Sequence, residues 1–288
     1  MRLTSRYARL PLLVSSLLVA SAVLFAQEQA ATPSPQLTPE QMAEFLKNAK
    51  ILRAKPASKG ITNTLRATLS DGSLTHDAHI QTIDEAKQRF EGTRGTEINF
   101  KDSWKFNVAA YRLGVMLGLG NMIPMSVDRR AGMPGGKQGS VTWWVDDVLM
   151  DEGDRLKKKI EPPNSDTWAR QIHIMRVFDQ LIYDTDPNRG NMLITKAWKL
   201  WLIDHTRAFR LYATLENPKI LERCQRKLLA ALRQLNEEGL TRELTPYLTK
   251  LEIKGVLGRR DKIVKLFEDL CAQKGEGAVL YDYDLAAR

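Results

Sequence analysis

Cysteine is nearly missing from this chain. Cys224 and Cys271 are the only two in 288 residues, and they stand too far apart for the short spacings that hold a metal. In an oxidising compartment they are a candidate disulfide between two C-terminal helices; two separate buried thiols fit the same count. Long basic runs are missing as well. The densest, "RLKKKIE" (155–161), reads as a solvated loop or helix end. That argues against nucleic acid as a partner and leaves association with an acidic membrane surface as the most the charge supports. No internal repeat and no low-complexity domain is found. Apolar material is ample: 43% of the residues are hydrophobic, enough for one two-lobed domain or two small ones.

The most apolar run comes first. Arg2, Arg6 and Arg9 precede "LPLLVSSLLVASAVLFA", and the polar "QEQAATPSPQ" follows. A basic start, a short apolar run and a small residue before a polar stretch have the form of a secretory signal peptide, residues 1–26, cut after Ala26. An uncleaved membrane anchor is the alternative, since roughly 17 apolar residues sit at the lower limit for spanning a bilayer. The formal charge of +9 drops by those three arginines to +6 on removal. The expected location is therefore the periplasm, the cell envelope or the medium.

Residues 27–38 have linker composition, and "TPEQMAEFLKNAKIL" predicts a short helix with Thr38 as N-cap and Pro39 at its first position. Leu65, Ala67 and Leu69 alternate with polar residues, Asp71-Gly72 turns, and Leu74, Ala78 and Ile80 resume the period of two. That is a β-hairpin. Trp104, Val108, Tyr111 and Val115 recur at helical spacing up to a glycine stop, and "NMIPMSVDRR" and "GSVTWWVDDVLM" read as two further strands. Beyond about residue 150 the pattern becomes helical. "SDTWARQIHIMRVFDQLIYD" predicts a helix with Ser165 as N-cap and Trp168, Ile172, Met175 and Ile182 on one face. Three amphipathic segments close the chain: "NPKILERCQRKLLAALRQLNEEG", "TRELTPYLTKLEI" and "RRDKIVKLFEDLCAQKG". The expectation is an α+β fold. A linker and short helix (27–48) lead to a small β-rich lobe with one long helix (49–150), then to a larger, mainly helical lobe (151–288).

Between the helical face and the closing helices stands "YDTDPNRGNMLI", followed by "KLWLIDHTRAF". Phosphoryl transfer from ATP needs one carboxylate beside the attacking hydroxyl and oxygen ligands for the metal on the β- and γ-phosphates. In protein kinases these are an Asp, an Asn five residues later, and an Asp after the next hairpin. Asp186 and Asn191 have that spacing. The strands "MLIT" and "LWLID" would bring Asp204 beside Asn191, so that both oxygens face one Mg²⁺ or Mn²⁺.

These two segments resemble the catalytic and metal-binding segments of atypical kinases: the phosphatidylinositol 3-/4-kinase-like enzymes, the HipA group, and secretory-pathway kinases of the Golgi casein kinase type. "NVAAYRLGVMLGLGNMIPMSVDRR" is similar to the helix-then-strand of the small lobe in the last group. The resemblance covers roughly residues 50–215. It implies a two-lobed kinase-like fold, ATP as donor, Asp186 as catalytic Asp, Asn191 as metal ligand, and Asp204 as counterpart of the Asp in D-F-G. The chain departs from the pattern at two places. The strand Lys that holds the phosphates and the helix Glu that pairs with it are represented by Gln81 and Asn107, which supply no positive charge. Lys55, Lys59 or Lys105 would have to supply it instead, and "SKGITNT" has a single glycine where a glycine-rich loop is expected. Two functions follow: a phosphotransferase acting on a protein, lipid or sugar hydroxyl, or a pseudokinase using the same fold as a binding module. A transfer with the nucleotide reversed in the cleft is a third.

Plainer roles are expected elsewhere. Asp184 caps the preceding helix or supports the site from behind, and His205 is a turn histidine. His76 and His79 are exposed strand residues. Trp143 and Trp144 give one ring to the core and one to the cleft wall, and residues 281–284 form a solvated tail. Protein recovered from its native host is expected to lack residues 1–26; N-terminal sequencing or intact mass checks this, and a full-length cytosolic species would refute it.

Overall fold

A computed structural model describes residues 37–57, 64–92, 95–184 and 188–285. Residues 1–26, read above as a signal peptide, Lys59 and Asp186 lie outside the described residues. Helix α1 (Pro39–Asn48) begins as expected. The Thr38 hydroxyl accepts from Gln41 N at 3.3 Å, and the Gln41 side chain accepts from Thr38 N at 2.8 Å, so two N–H groups at the helix start are satisfied reciprocally. Its buried Phe45 and Leu46 pack on the first sheet.

That sheet starts with β1 (Lys50–Pro56), β2 (Leu65–Ser70) and β3 (Thr75–Gln81). The β2–β3 turn is held by the Asp71 carboxylate, which accepts from Ser73 N at 2.9 Å and Leu74 N at 2.8 Å, with Gly72 at φ 95°. Ala67, Leu69, Ala78 and Ile80 fill its buried face. Next comes a hairpin that periodicity did not reveal, β4 (Asp84–Gly92) with β5 (Gly95–Ser103). It is largely charged and pairs only with itself, so it lacks the alternation that marks a half-buried strand.

Helix α2 (Lys105–Met116) is buried nearly all round and packs between the sheet and a later helix. β6 (Ser126–Arg129) and β7 (Gly139–Trp143) complete an antiparallel sheet of order β1-β2-β3-β7-β6. The segment read as one strand, "GSVTWWVDDVLM", is broken after Trp143; its second half is β8 (Val148–Asp151), which pairs with β9 in another sheet. Asp147, at φ 55°, marks the bend.

After α3 (Glu152–Lys157) comes α4 (Ser165–Ile182). Its N-cap is Asn164, whose side chain accepts from Thr167 N at 2.8 Å, and Ser165 is the first helical residue rather than the cap. Strands β9 (Met192–Thr195) and β10 (Leu200–Leu202) follow. β11 (Cys224–Gln225), α5 (Arg226–Gln234), α6 (Glu237–Leu244), α7 (Lys250–Lys274) and β12 (Leu280–Tyr281) close the fold. The expected "TRELTPYLTKLEI" helix is divided at Pro246. Its second half joins the last segment in the long α7, where Thr249 and Glu252 form a capping box.

Two apolar clusters result. One lies between α1 and the five-stranded sheet; the other joins α2, α4 and the closing helices. The tail is docked, not solvated: Tyr281 is 4% exposed, donates to Arg170 O at 2.7 Å, and lies on β12, which runs parallel to β11. Cys224 on β11 and Cys271 on α7 are free thiols, so the candidate disulfide is not formed. Burial pushes the Cys224 thiol up to about 12.

At the β3–β7 seam, a Cβ added at Gly139 would stand 2.3 Å from Gln81 O and 2.9 Å from Thr82 Cγ2. Backbone cannot yield as a flexible side chain does. Gly139→Ala is expected to destabilise the fold by about 1–3 kcal/mol, seen as a lower urea midpoint; an unchanged midpoint would show that the seam yields freely.

Candidate active site

The second lobe builds the site from one helix end and one hairpin. Helix α4 ends at Tyr183, held at φ 51°, and Asp184 N bonds back to Asp179 O at 3.2 Å. The chain re-enters as a 3₁₀ turn, Arg189–Asn191, capped by the Asn188 side chain on Gly190 N at 2.9 Å. β9 and β10 then form the expected hairpin, with Leu202 opposite Met192. Past its open end Ile203 N donates to Asn191 O at 3.0 Å. That bond lays the backbone of Asn191 beside Ile203, the residue before Asp204. Asp204 is at φ 58°, a left-handed conformation that costs a non-glycine residue energy and recurs where a side chain must be aimed. The Thr206 hydroxyl donates to its carboxylate at 3.2 Å.

His205, next in the chain, is not an ordinary turn residue. It is 4% exposed, its Nδ1 meets Asp184 Oδ2 at 3.2 Å, and its ring lies edge-on to Phe178 at 5.8 Å. Burial, the largest influence, pushes its imidazole down. The Asp184 hydrogen bond and the charges of Asp184, Asp179 and Asp204 outweigh it and hold the group above its usual value. Asp184 therefore supports the loop from behind. Sequence reasoning missed Asp179, one turn earlier on α4. Desolvation first and the Asp184 charge second raise its carboxyl from 3.8 to about 7. The available signal was an Asp set inside the apolar run "VFDQLI".

The first lobe contributes amides. Gln81 is 1% exposed, and its carbonyl accepts from Thr82 N at 2.8 Å and Ile83 N at 2.9 Å. Asn107, also buried, donates to the Ser140 hydroxyl at 3.3 Å and accepts from His205 N at 2.8 Å. Ser140 is the cross-strand neighbour of Gln81, so Gln81 and Asn107 both stand next to Ser140. Two further bonds join the lobes here, Ser103 N to Thr206 O at 2.8 Å and Arg207 Nε to Asp102 at 2.8 Å. Lys105 is paired with Asp84 at 2.8 Å, and Lys55 is exposed on β1. His76 and His79 are half-buried instead of exposed. His76 stacks on Trp143 at 3.9 Å and meets Asp146 at 2.7 Å, and burial pushes the His79 imidazole down to about 4. Trp143 also packs near Phe45, while Trp144 lies under the Arg66 guanidinium at 4.3 Å.

Among the described residues no group of three or more His, Cys, Asp or Glu side chains forms a ready-made metal cage. A Mg²⁺ or Mn²⁺ site completed by phosphate oxygens and water does not need one. Asn191 and Asp204 carry the hard oxygen donors that such a metal takes, and the Ile203 bond brings their stretches of backbone together.

A β-rich lobe, a central helix, the β9–β10 hairpin and a helical lobe are together a kinase-like fold. Hydra Fam20, solved with sugar, shares it with a TM-score of 0.64 at 15% identity, over 84% of this chain and 92% of its own. Golgi casein kinase matches at 0.58 and 12%, over 85% of this chain and 79% of its own. The same enzyme with Mn and ADP bound gives 0.58 and 12%, covering 85% and 80%. At these identities the likeness establishes the fold. No family profile and no curated protein matches the sequence.

A carboxyl raised by folding binds a proton that the unfolded chain has already lost. The stability this provides is full below the ordinary value near 3.8 and is lost as pH rises through about 7. Without added metal, Asp179→Asn is expected to match wild type near pH 4 and to exceed it at pH 8 by on the order of 1–3 kcal/mol. Urea titrations at the two pH values test this; a pH-independent difference would refute it.

Proposed function

We propose that this protein is an exported kinase-like phosphotransferase that moves the γ-phosphate of ATP to a hydroxyl, with Mg²⁺ or Mn²⁺ held by Asn191 and Asp204. The observation that supports the reading is the Ile203 N to Asn191 O bond at 3.0 Å, which sets Asn191 beside the residue before Asp204, itself in a left-handed conformation. The Mn and ADP bound to Golgi casein kinase, on the same fold, support it. Asp186 would orient the acceptor hydroxyl and take its proton as the bond to phosphorus forms. A divalent cation held by Asn191 and Asp204 would supply the positive charge that a strand lysine supplies in ordinary kinases. Asn107 keeps the mechanical part of the missing pair by holding the loop of Asp204, but adds no charge. The sugar in the hydra Fam20 structure makes sugar hydroxyls natural acceptors to test, beside protein and lipid.

The pseudokinase reading has its own support. Gln81 and Asn107 both spend hydrogen bonds on the protein, and neither is charged.

Transfer of labelled phosphate to envelope extract separates the two. With residues 27–288, Asp186→Ala is expected to lower turnover by about 10²–10⁴-fold while leaving ADP–Mn binding nearly unchanged. Asp204→Ala is expected to abolish the metal-dependent stabilisation by nucleotide, which at a hundredfold excess over Kd is about 2.7 kcal/mol. Absence of transfer and of nucleotide binding in wild type, with binding gained in Gln81→Lys/Asn107→Glu, would leave the binding module.

A further inference from the structure

A second cleft, of about 920 Å³, opens between the β4–β5 hairpin, the start of α2 and the loop joining β6 to β7. Neither Asn191 nor Asp204 lines it, although Arg207, three residues beyond Asp204, forms part of its wall. Its charges do not balance. Three carboxylates face it and each is matched: Glu85 by Lys87 at 2.9 Å, Asp84 by Lys105 at 2.8 Å, and Asp102 by Arg207 at 2.8 Å. Two cations remain. Arg130 and Lys137, from the β6–β7 loop, are exposed and form no ion pair among the described residues. Gly132, Gly135 and Gly136, all at positive φ between them or beside them, give that loop a path closed to most side chains.

The wall of the cleft holds an unmet acceptor, among the described residues. Asp102 is 2% exposed, and its Oδ1 is buried without a hydrogen-bond partner, a group that a ligand hydroxyl or a fixed water would satisfy. Trp104 and Lys105, at the start of α2, line the same region with no side-chain cap at Trp104, so the positive end of a 12-residue helix lies beside it. Phe90, Phe100 and Trp104 supply apolar wall. Unpaired cations, an unsatisfied buried acceptor and aromatic surface suit one kind of ligand. We propose that this cleft binds the phosphate group of a small molecule, with Arg130 and Lys137 as its principal contacts.

Binding there does not depend on the phosphotransfer reading, and the test keeps the two apart. Calorimetry on residues 27–288 without divalent metal would use inorganic phosphate and glucose 6-phosphate as probes, with chloride at matched ionic strength as the control. Millimolar or tighter binding of either probe is expected. Tighter binding of glucose 6-phosphate identifies an organic phosphate as the ligand; equal binding identifies free phosphate. Arg130→Ser/Lys137→Ser should weaken it at least about tenfold, since each charge-assisted hydrogen bond is of the size that changes affinity by that factor. Both side chains are exposed, so the variant should keep its melting temperature. Asp204→Ala should bind the probes as wild type does. No binding beyond the chloride control, or binding kept in the double variant and lost in Asp204→Ala, would overturn the proposal.

Discussion

The buried amide of Asn107 is bonded in two directions, to Ser140 Oγ on the sheet and to His205 N beside Asp204. Removing it would leave a backbone N–H and a strand hydroxyl without partners in the interior, at about 1–3 kcal/mol for each buried group. The loop that aims Asp204 is thereby keyed to α2, and α2 to the sheet. The bonds of Ser103 N to Thr206 O and Trp104 N to Ile83 O run the same way. A neutral amide performs this without bringing an unpaired charge into the interior, where a lone carboxylate facing Gln81 would be costly.

Beyond His205 the chain is held by cations, not by apolar packing alone. Arg210 is 4% exposed. It pairs with Glu97 on the β4–β5 hairpin, donates to Lys101 O at 2.7 Å and lies over the Phe100 ring. Arg259 on α7 is fully buried and donates to Leu181 O at 2.7 Å, Arg210 O at 2.8 Å and Tyr212 O, while its guanidinium faces the Tyr183 ring at 5.6 Å. With carbonyls as its partners, burial pushes it down to about 10. Hairpin, α2 and α7 thus grip the segment after Asp204 from three sides. The charged hairpin, with little apolar surface to bury, stays in place through these pairs.

The parts that were legible in the sequence are those fixed by neighbours in the chain. The Thr38 cap of α1, the Asp71-Gly72 turn and the hairpin from Met192 to Leu202 are each determined within a dozen residues or so, where cap and turn chemistry and alternation act directly. Asn164, not Ser165, caps α4 because the cap is decided by which side chain reaches Thr167 N, and both residue types can do so. The β4–β5 hairpin escaped notice because charge dominates both its faces.

Sequence by itself determined α1, the β2–β3 hairpin, α2 and α4, and the D-x-x-x-x-N spacing of Asp186 and Asn191, with Asp204 one hairpin beyond. Tertiary structure decided what no local pattern contains. Asn107 finds Ser140 and His205, residues 33 and 98 positions away. Asp179 is raised first by burial and then by an Asp184 brought against it past a left-handed Tyr183, and Tyr281 is drawn from the tail onto α4. Each of these is a buried polar group whose partner is set by the folding of distant segments into one dry place. The energy of such a group depends on who else is there.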